Sequence, residues 1–196
     1  ISALFAGVMA PVYDRIGKER SKAWVYVVGY VTFVYSTIPV LPQVWGMLSE
    51  YTQGSVRYLG IAVVVVAGVG FVLAIWRRAD GRRLRACLAL GLIALAYAYL
   101  LDEFARFPAE RMHLVEYGLM GYVLLRALSL DLRPLWAYSA SFVLAVCIGI
   151  GDECIQWVLP QRFFEVKDIE LNAVSAMLGL LLARLVGEKK EGDGRA

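Results

Sequence analysis

The residues best suited to chemistry in this chain are polar side chains set inside otherwise apolar stretches of its second half. His113 is the only histidine, and Glu116 and Tyr117 follow it by three and four positions, which places all three on one helical face. Asp152 and Glu153 are adjacent in a later apolar stretch. A carboxylate within a membrane span costs roughly 2.5–3.5 kcal/mol on insertion scales, so such residues usually face an interior or a wet cavity and mark a site.

Each of these residues has a predicted role. Glu116 or Glu153 could act as a general acid or base, and Arg162 could hold a phosphate or a carboxylate. The catalytic candidates are His113, Glu116, Asp152 and Glu153. The ligand-binding candidates are Tyr117, Gln156, Arg162, Asp168 and Asn172. Whether the site is catalytic stays open, because no nucleophilic serine or cysteine motif accompanies it.

The same residues are a weak signal for a metal or a cofactor. One histidine with scattered carboxylates is a poor ligand set, and a bis-histidine haem needs a second histidine. We therefore expect neither a metal nor a cofactor.

Purely structural interpretations remain open for each residue. Asp168 fits an N-cap of the last helix, and Asn172 fits a hydrogen bond between helices. His113 could lie at the membrane interface without a functional role, and Asp102, Glu103 and Arg106 could belong to a solvated loop. Glu116, Asp152 and Glu153 could be structural ion-pair partners of Arg106, Arg111 or Arg162.

Composition indicates where such a site would lie. Of the 196 residues, 60% are apolar and 19% are charged, and the mean hydropathy is +0.62. A soluble domain averages about 45–50% apolar residues. Long uncharged runs explain the excess and predict a single integral membrane domain over residues 1–196. A secreted disulfide scaffold, a disordered chain and an ordinary soluble enzyme are excluded.

The apolar runs predict an all-α polytopic membrane bundle of about six transmembrane helices. A span needs about 20 residues. The predicted spans are Trp24–Leu41, Tyr58–Trp76, Ala86–Leu101, His113–Leu130, Leu135–Leu159 and Ile169–Val186. Pro39 and Pro42 should stop or kink the first helix, near the surface that carries the polar residues.

Basic residues orient the predicted bundle. Fifteen of the 20 lie in the N-terminal segment, the C-terminal end and alternate loops, and five lie in the opposite loops. The positive-inside rule therefore puts both termini in the cytoplasm, and the polar set in the outer half of the bundle. Small residues on the last three spans would let these helices approach closely and bring the polar set together. They are Gly118, Gly121, Gly149, Gly151, Ala173, Ser175, Ala176 and Gly179.

Two blocks of these residues resemble the VanZ-like family of bacterial membrane proteins. The first is His113 with Tyr117 one turn later, and the second is a spaced series that is more specific. That series reads Asp152-Glu153, Gln156, Pro160, Arg162, Asp168, Asn172 and Gly179. The resemblance covers residues 101–186. It departs from the usual pattern at Ala109 and Glu110, where many members have Asp-Lys, and at Gln161, where many have glycine.

The resemblance implies a multi-pass protein of the bacterial cytoplasmic (inner) membrane, and the name-giving member is linked to teicoplanin resistance. Three functions stay open. The first is an extracytoplasmic site that binds or modifies a lipid-linked or cell-envelope ligand. The second is a non-catalytic subunit of a larger membrane complex, and the third is a small proton-coupled carrier. The expected partners are membrane lipids and other membrane protein subunits, without nucleic acid.

Overall fold

The structure, a computed structural model, describes residues 2–52, 58, 62, 66, 69, 70, 73, 91–97, 99, 108–160 and 162–187. Within these residues the regular structure is helical and contains no strand, in agreement with the predicted all-α class. The helices are α1 (Ser2–Thr37), α2 (Leu41–Tyr51), α3 (Pro108–Leu128), α4 (Pro134–Val158) and α5 (Val166–Gly187). Residues 91–97 are also helical. Most of the second and third predicted spans, with Asp102, Glu103 and Arg106, lies outside the described residues.

Prolines set several helix ends. The turn that contains Pro39 ends α1, and Pro42 lies in the first turn of α2, so the predicted break near these prolines is confirmed. The axis turns by 58° between Gly17–Thr37 and Leu41–Tyr51. Pro134 begins α4, where its fixed φ angle suits a first helical position, and Pro160 follows the end of that helix.

Helices α3, α4 and α5 pack against one another, and α1 packs against α3. This is the close packing of the last three spans that the small residues predicted. A Cβ on Gly179 would overlap the backbone of Gly118, and one on Gly121 would lie 2.8 Å from the carbonyl oxygen of Ala176. The absence of side chains at these glycines therefore lets α3 and α5 approach at backbone distance.

The centre of the bundle is apolar. Val34, Met120, Leu124, Ala145 and Ala176 are buried together in it. At one end, Arg20 Nε of α1 lies 3.0 Å from Asp131 Oδ2 in the turn between α3 and α4. The polar residues singled out above lie at the opposite end, because α3 begins there, α4 ends there and α5 begins there.

Among the described residues, α4 alone is long and apolar enough to cross a bilayer by itself. The bent pair α1 and α2 meets the same criterion only when taken as one span. The six-span topology and its orientation therefore stay predictions. In the most apolar 18-residue stretch of α4, 22% of the residues are buried inside the protein, so this helix is not a core helix enclosed by the fold.

Candidate functional site

The site is built where the first turns of α3 meet the last turns of α4. His113 and Glu116 lie on α3, and Asp152 lies on α4 with none of its surface exposed. His113 Nδ1 is 3.7 Å from Asp152 Oδ2 and 4.0 Å from Glu116 Oε2. Both separations exceed hydrogen-bonding distance, and His113 Nδ1 is buried without a hydrogen-bond partner. His113 Nδ1 thus lies within 4.0 Å of two carboxylate oxygens without bonding to either.

Asp152 is held in place by neighbours on two helices. Tyr117 of α3 donates its hydroxyl to Asp152 Oδ2 over 3.0 Å, and Gln156 Nε2 donates to Asp152 Oδ1 over 3.1 Å. Tyr117 and Gln156 are themselves buried. Because both oxygens of Asp152 accept a hydrogen bond, its carboxylate has a fixed orientation.

Gln156 connects the carboxylates to Arg162. Its amide nitrogen also donates to Glu153 Oε1 over 3.0 Å, while its amide oxygen accepts from Arg162 Nε over 2.8 Å and from Arg162 Nη2. The guanidinium of Arg162 is therefore bonded to a neutral amide oxygen.

Glu153 has a structural position. It is completely buried, accepts from Gln156, and accepts from the backbone N–H of Glu165 at Oε2 over 2.9 Å. This second bond joins the end of α4 to the segment that leads into α5. Glu153 therefore binds the connection between the two helices and does not line the cleft described next.

A cleft opens beside Asp152 at the bend between α1 and α2. It has about 340 Å³ of empty space counted out to its open mouth, and its enclosed part has room for a water molecule. Its polar walls are His113, Glu116, Asp152, Gln156 and Arg162. Its remaining lining residues are Val34, Thr37, Ile38, Leu41 and Pro42.

The last two predicted ligand residues lie elsewhere. Asn172 on α5 is completely buried, and neither atom of its amide group has a hydrogen-bond partner among the described residues. It packs against Gly149 beside the ring of Tyr117 and does not line the cleft. Asp168 is the third residue of α5, so it lies in the first turn of that helix and not at its N-cap.

The structure also adds residues that the polar pattern did not identify. Tyr30 and Tyr35 of α1 donate to the backbone oxygens of Glu116 and Ile148, over 3.0 and 2.8 Å. They fix α1 against α3 and α4 beside the cleft. A backbone oxygen carries no sequence signal, which is why these contacts could not be predicted. The break at Pro39 was the one indication that α1 reaches the site.

No group of three His, Cys, Asp or Glu residues in the described part of the chain could hold a metal ion. Cys147 and Cys154 are both exposed on α4 and are not disulfide-bonded.

The family model described as VanZ/LLP1 matches residues 21–187. The chain belongs to the VanZ/LLP1 family. The match includes the C-terminal part of α1 and all of α2 as well as the helices with the polar blocks, so it extends well beyond the region 101–186 that the motifs indicated. A search of curated proteins and a search of solved structures gave no match. The family assignment and the cleft geometry together are therefore the basis for any function.

Proposed function

We propose that this VanZ/LLP1 family member is a multi-pass protein of the bacterial cytoplasmic membrane, with a polar cleft on its outer side that binds a lipid-linked or cell-envelope ligand. The observation that carries the proposal is the open cleft lined by His113, Glu116, Asp152 and Arg162. Charged groups in such a setting are expensive to bury, so their convergence on one open cleft favours a ligand over a purely structural network.

The surface of the helices supports the membrane setting. Large apolar side chains are exposed along α1 and α4, including Tyr26 at 71%, Leu135 at 76% and Val158 at 79%. Contiguous exposed apolar surface of this kind indicates contact with lipid or with another protein. Lipid contact also agrees with the alternating basic loops of the sequence.

The roles of the two buried glutamates differ in this proposal. The side chain of Glu116 lines the cleft, and among the described residues no hydrogen bond is donated to its carboxylate, which favours its use by a ligand. Glu153 has both oxygens occupied by Gln156 and Glu165. If the site transfers a proton, Glu116 is the group in position to do so.

The core beneath the cleft disfavours the carrier function. Towards the other end of the bundle, α3 buries Met120, Leu124 and Ala127 against α1, α4 and α5. These apolar residues supply no polar route through the described part of the bundle. A carrier would need a polar cavity that can open to both sides.

Cysteine labelling tests both the location and the binding. Thr37 lines the cleft, whereas its neighbour Ser36 is exposed and does not, although both hydroxyls donate to a backbone oxygen three residues earlier. Thr37→Cys and Ser36→Cys, made in a chain whose own three cysteines are replaced, are therefore a matched pair. We expect a membrane-impermeant thiol reagent to label both from outside intact cells. Labelling that requires lysis would contradict the outward orientation.

Ligand protection is then measured on the purified protein. An extract of envelope lipids and lipid-linked precursors should slow labelling of Thr37→Cys and leave Ser36→Cys unchanged. Adding Glu116→Gln should remove the protection. Equal labelling of Thr37→Cys with and without extract would overturn the binding proposal and favour a non-catalytic subunit.

A further inference from the structure

We propose that the closed end of the cleft binds a primary ammonium group and that Arg162 binds an adjacent phosphate, so that the ligand carries a phosphoethanolamine group. This inference rests on the proposed function and specifies the chemistry of its ligand. It starts from three acceptor atoms of residues that line the cleft.

The three atoms are His113 Nδ1, Glu116 Oε2 and Asp152 Oδ2. The histidine is 7% exposed and its Nδ1 has no hydrogen-bond partner, so it is an unsatisfied buried group within 4.0 Å of both carboxylates. A neutral imidazole offers one nitrogen as an acceptor, and an ammonium group offers three N–H donors and no acceptor. Three acceptors, two of which lie within 4.0 Å of the third, therefore match a single ammonium group.

The distances fit this geometry. An ammonium nitrogen about 2.9 Å from His113 Nδ1 and from one of the carboxylate oxygens would see their separation of 3.7 or 4.0 Å at an angle of roughly 80–90°, so these hydrogen bonds stay nearly straight. Ligands of one tetrahedral zinc ion lie closer together, at about 3.3–3.6 Å. The enclosed space has room for a group the size of a water molecule, which suits a primary ammonium better than the bulkier trimethylammonium.

Charge supports the same ligand. Glu116 and Asp152 are two carboxylates that line the cleft, and among the described residues neither has a lysine or an arginine as a direct ion partner. Arg162 is less buried than Asp152 and lines the same cleft. Because Arg162 donates from Nε and Nη2 to the neutral oxygen of Gln156, its other N–H groups can donate to an anion. The cleft therefore carries two carboxylates and a guanidinium, which matches a zwitterion.

A series of short-chain phospholipids tests the inference on the unaltered protein in detergent. The series runs from phosphatidylethanolamine through its N-methyl and N,N-dimethyl forms to phosphatidylcholine. Each step removes one donor and adds volume. We expect affinity, measured by tryptophan fluorescence or by the shift in Tm, to fall along the series by at least about tenfold in total. Equal affinity for the first and last members would overturn the inference.

Two further measurements test the ammonium assignment and the role of Glu116 separately. Phosphatidylglycerol, which has no ammonium group, should bind at least about tenfold more weakly than phosphatidylethanolamine, and equal binding would overturn the ammonium assignment. Glu116→Gln should abolish the preference for phosphatidylethanolamine within the series, and a preference that persists in this variant would overturn the role of Glu116.

Displacement of the bound phospholipid by soluble phosphoethanolamine would support a free ligand, and binding without displacement would support a lipid headgroup. If envelope extract protects Thr37→Cys but phosphatidylethanolamine does not bind, the inference fails while the proposed function stands.

Discussion

The hydroxyl of Tyr117 donates a hydrogen bond to Asp152 Oδ2 over 3.0 Å, between two fully buried side chains that are 35 positions apart in sequence. This bond crosses from α3 to α4 and orients the carboxylate whose same oxygen lies nearest to His113 Nδ1. The cleft therefore depends on the relative position of these two helices. The following predictions examine the contacts that hold them.

Replacing Tyr117 with phenylalanine removes the hydroxyl and keeps the ring. Asp152 Oδ2 then loses its donor in a buried position, so the free energy of unfolding should fall by about 1–3 kcal/mol. Chemical unfolding of the purified protein in detergent measures this change. Tyr122→Phe is the control, because Tyr122 is 41% exposed on the same helix and its change should stay within about 0.5 kcal/mol. Equal losses for the two variants would contradict a specific role for the bond.

Gln156→Leu should destabilise the protein more than Tyr117→Phe. The amide group of Gln156 hydrogen-bonds to Asp152, Glu153 and Arg162, so its loss leaves several polar groups unsatisfied. We expect a decrease of about 3 kcal/mol or more in the free energy of unfolding. A double-mutant cycle with Arg162→Met should give a coupling of about 1–3 kcal/mol. Additive effects would mean that the bond between Gln156 and Arg162 contributes little.

Gly179→Ala should separate α3 from α5. The added Cβ would lie 2.7 and 2.8 Å from the carbonyl carbon and Cα of Gly118, and backbone atoms in a packed helix pair cannot yield easily. The expected loss is about 1–3 kcal/mol or more. Gly29→Ala is the matched control, since nothing lies within 4 Å of a Cβ there, and it should stabilise α1 by about 0.5–1 kcal/mol. The two changes in stability should appear as shifts of Tm in opposite directions. A Gly179→Ala variant as stable as the unaltered protein would disprove the close approach of α3 and α5.

Glu153→Gln should loosen the segment between α4 and α5. Glu153 accepts from both Gln156 and the Glu165 N–H, and an amide has only one acceptor end. Hydrogen exchange at the Glu165 amide should therefore accelerate by roughly tenfold. Glu170→Gln, at an exposed position on α5, should leave that exchange rate unchanged. If Glu165 exchanged at the same rate in both variants, the buried carboxylate would not be what holds the connection.

The sequence determined the helical class, the family and the set of polar residues from which the cleft is formed. Helix class and the break at Pro39 follow from local chemistry, because apolar runs and prolines act on the backbone near them. The small residues also indicated that the last three helices pack closely, since a small side chain lets a neighbouring helix approach whichever helix that neighbour is.

Only the tertiary structure decided which polar residues share the cleft. His113, Glu116 and Arg162 line it with Asp152, whereas Glu153 binds the connection between α4 and α5, and Asn172 packs beside Gly149. Adjacent residues on a helix point about 100° apart, so the Asp152–Glu153 pair had to divide between two environments, and sequence could not say which residue took which. The contacts from Tyr30 and Tyr35 to backbone oxygens were equally hidden, because an acceptor that every residue possesses leaves no mark on the sequence.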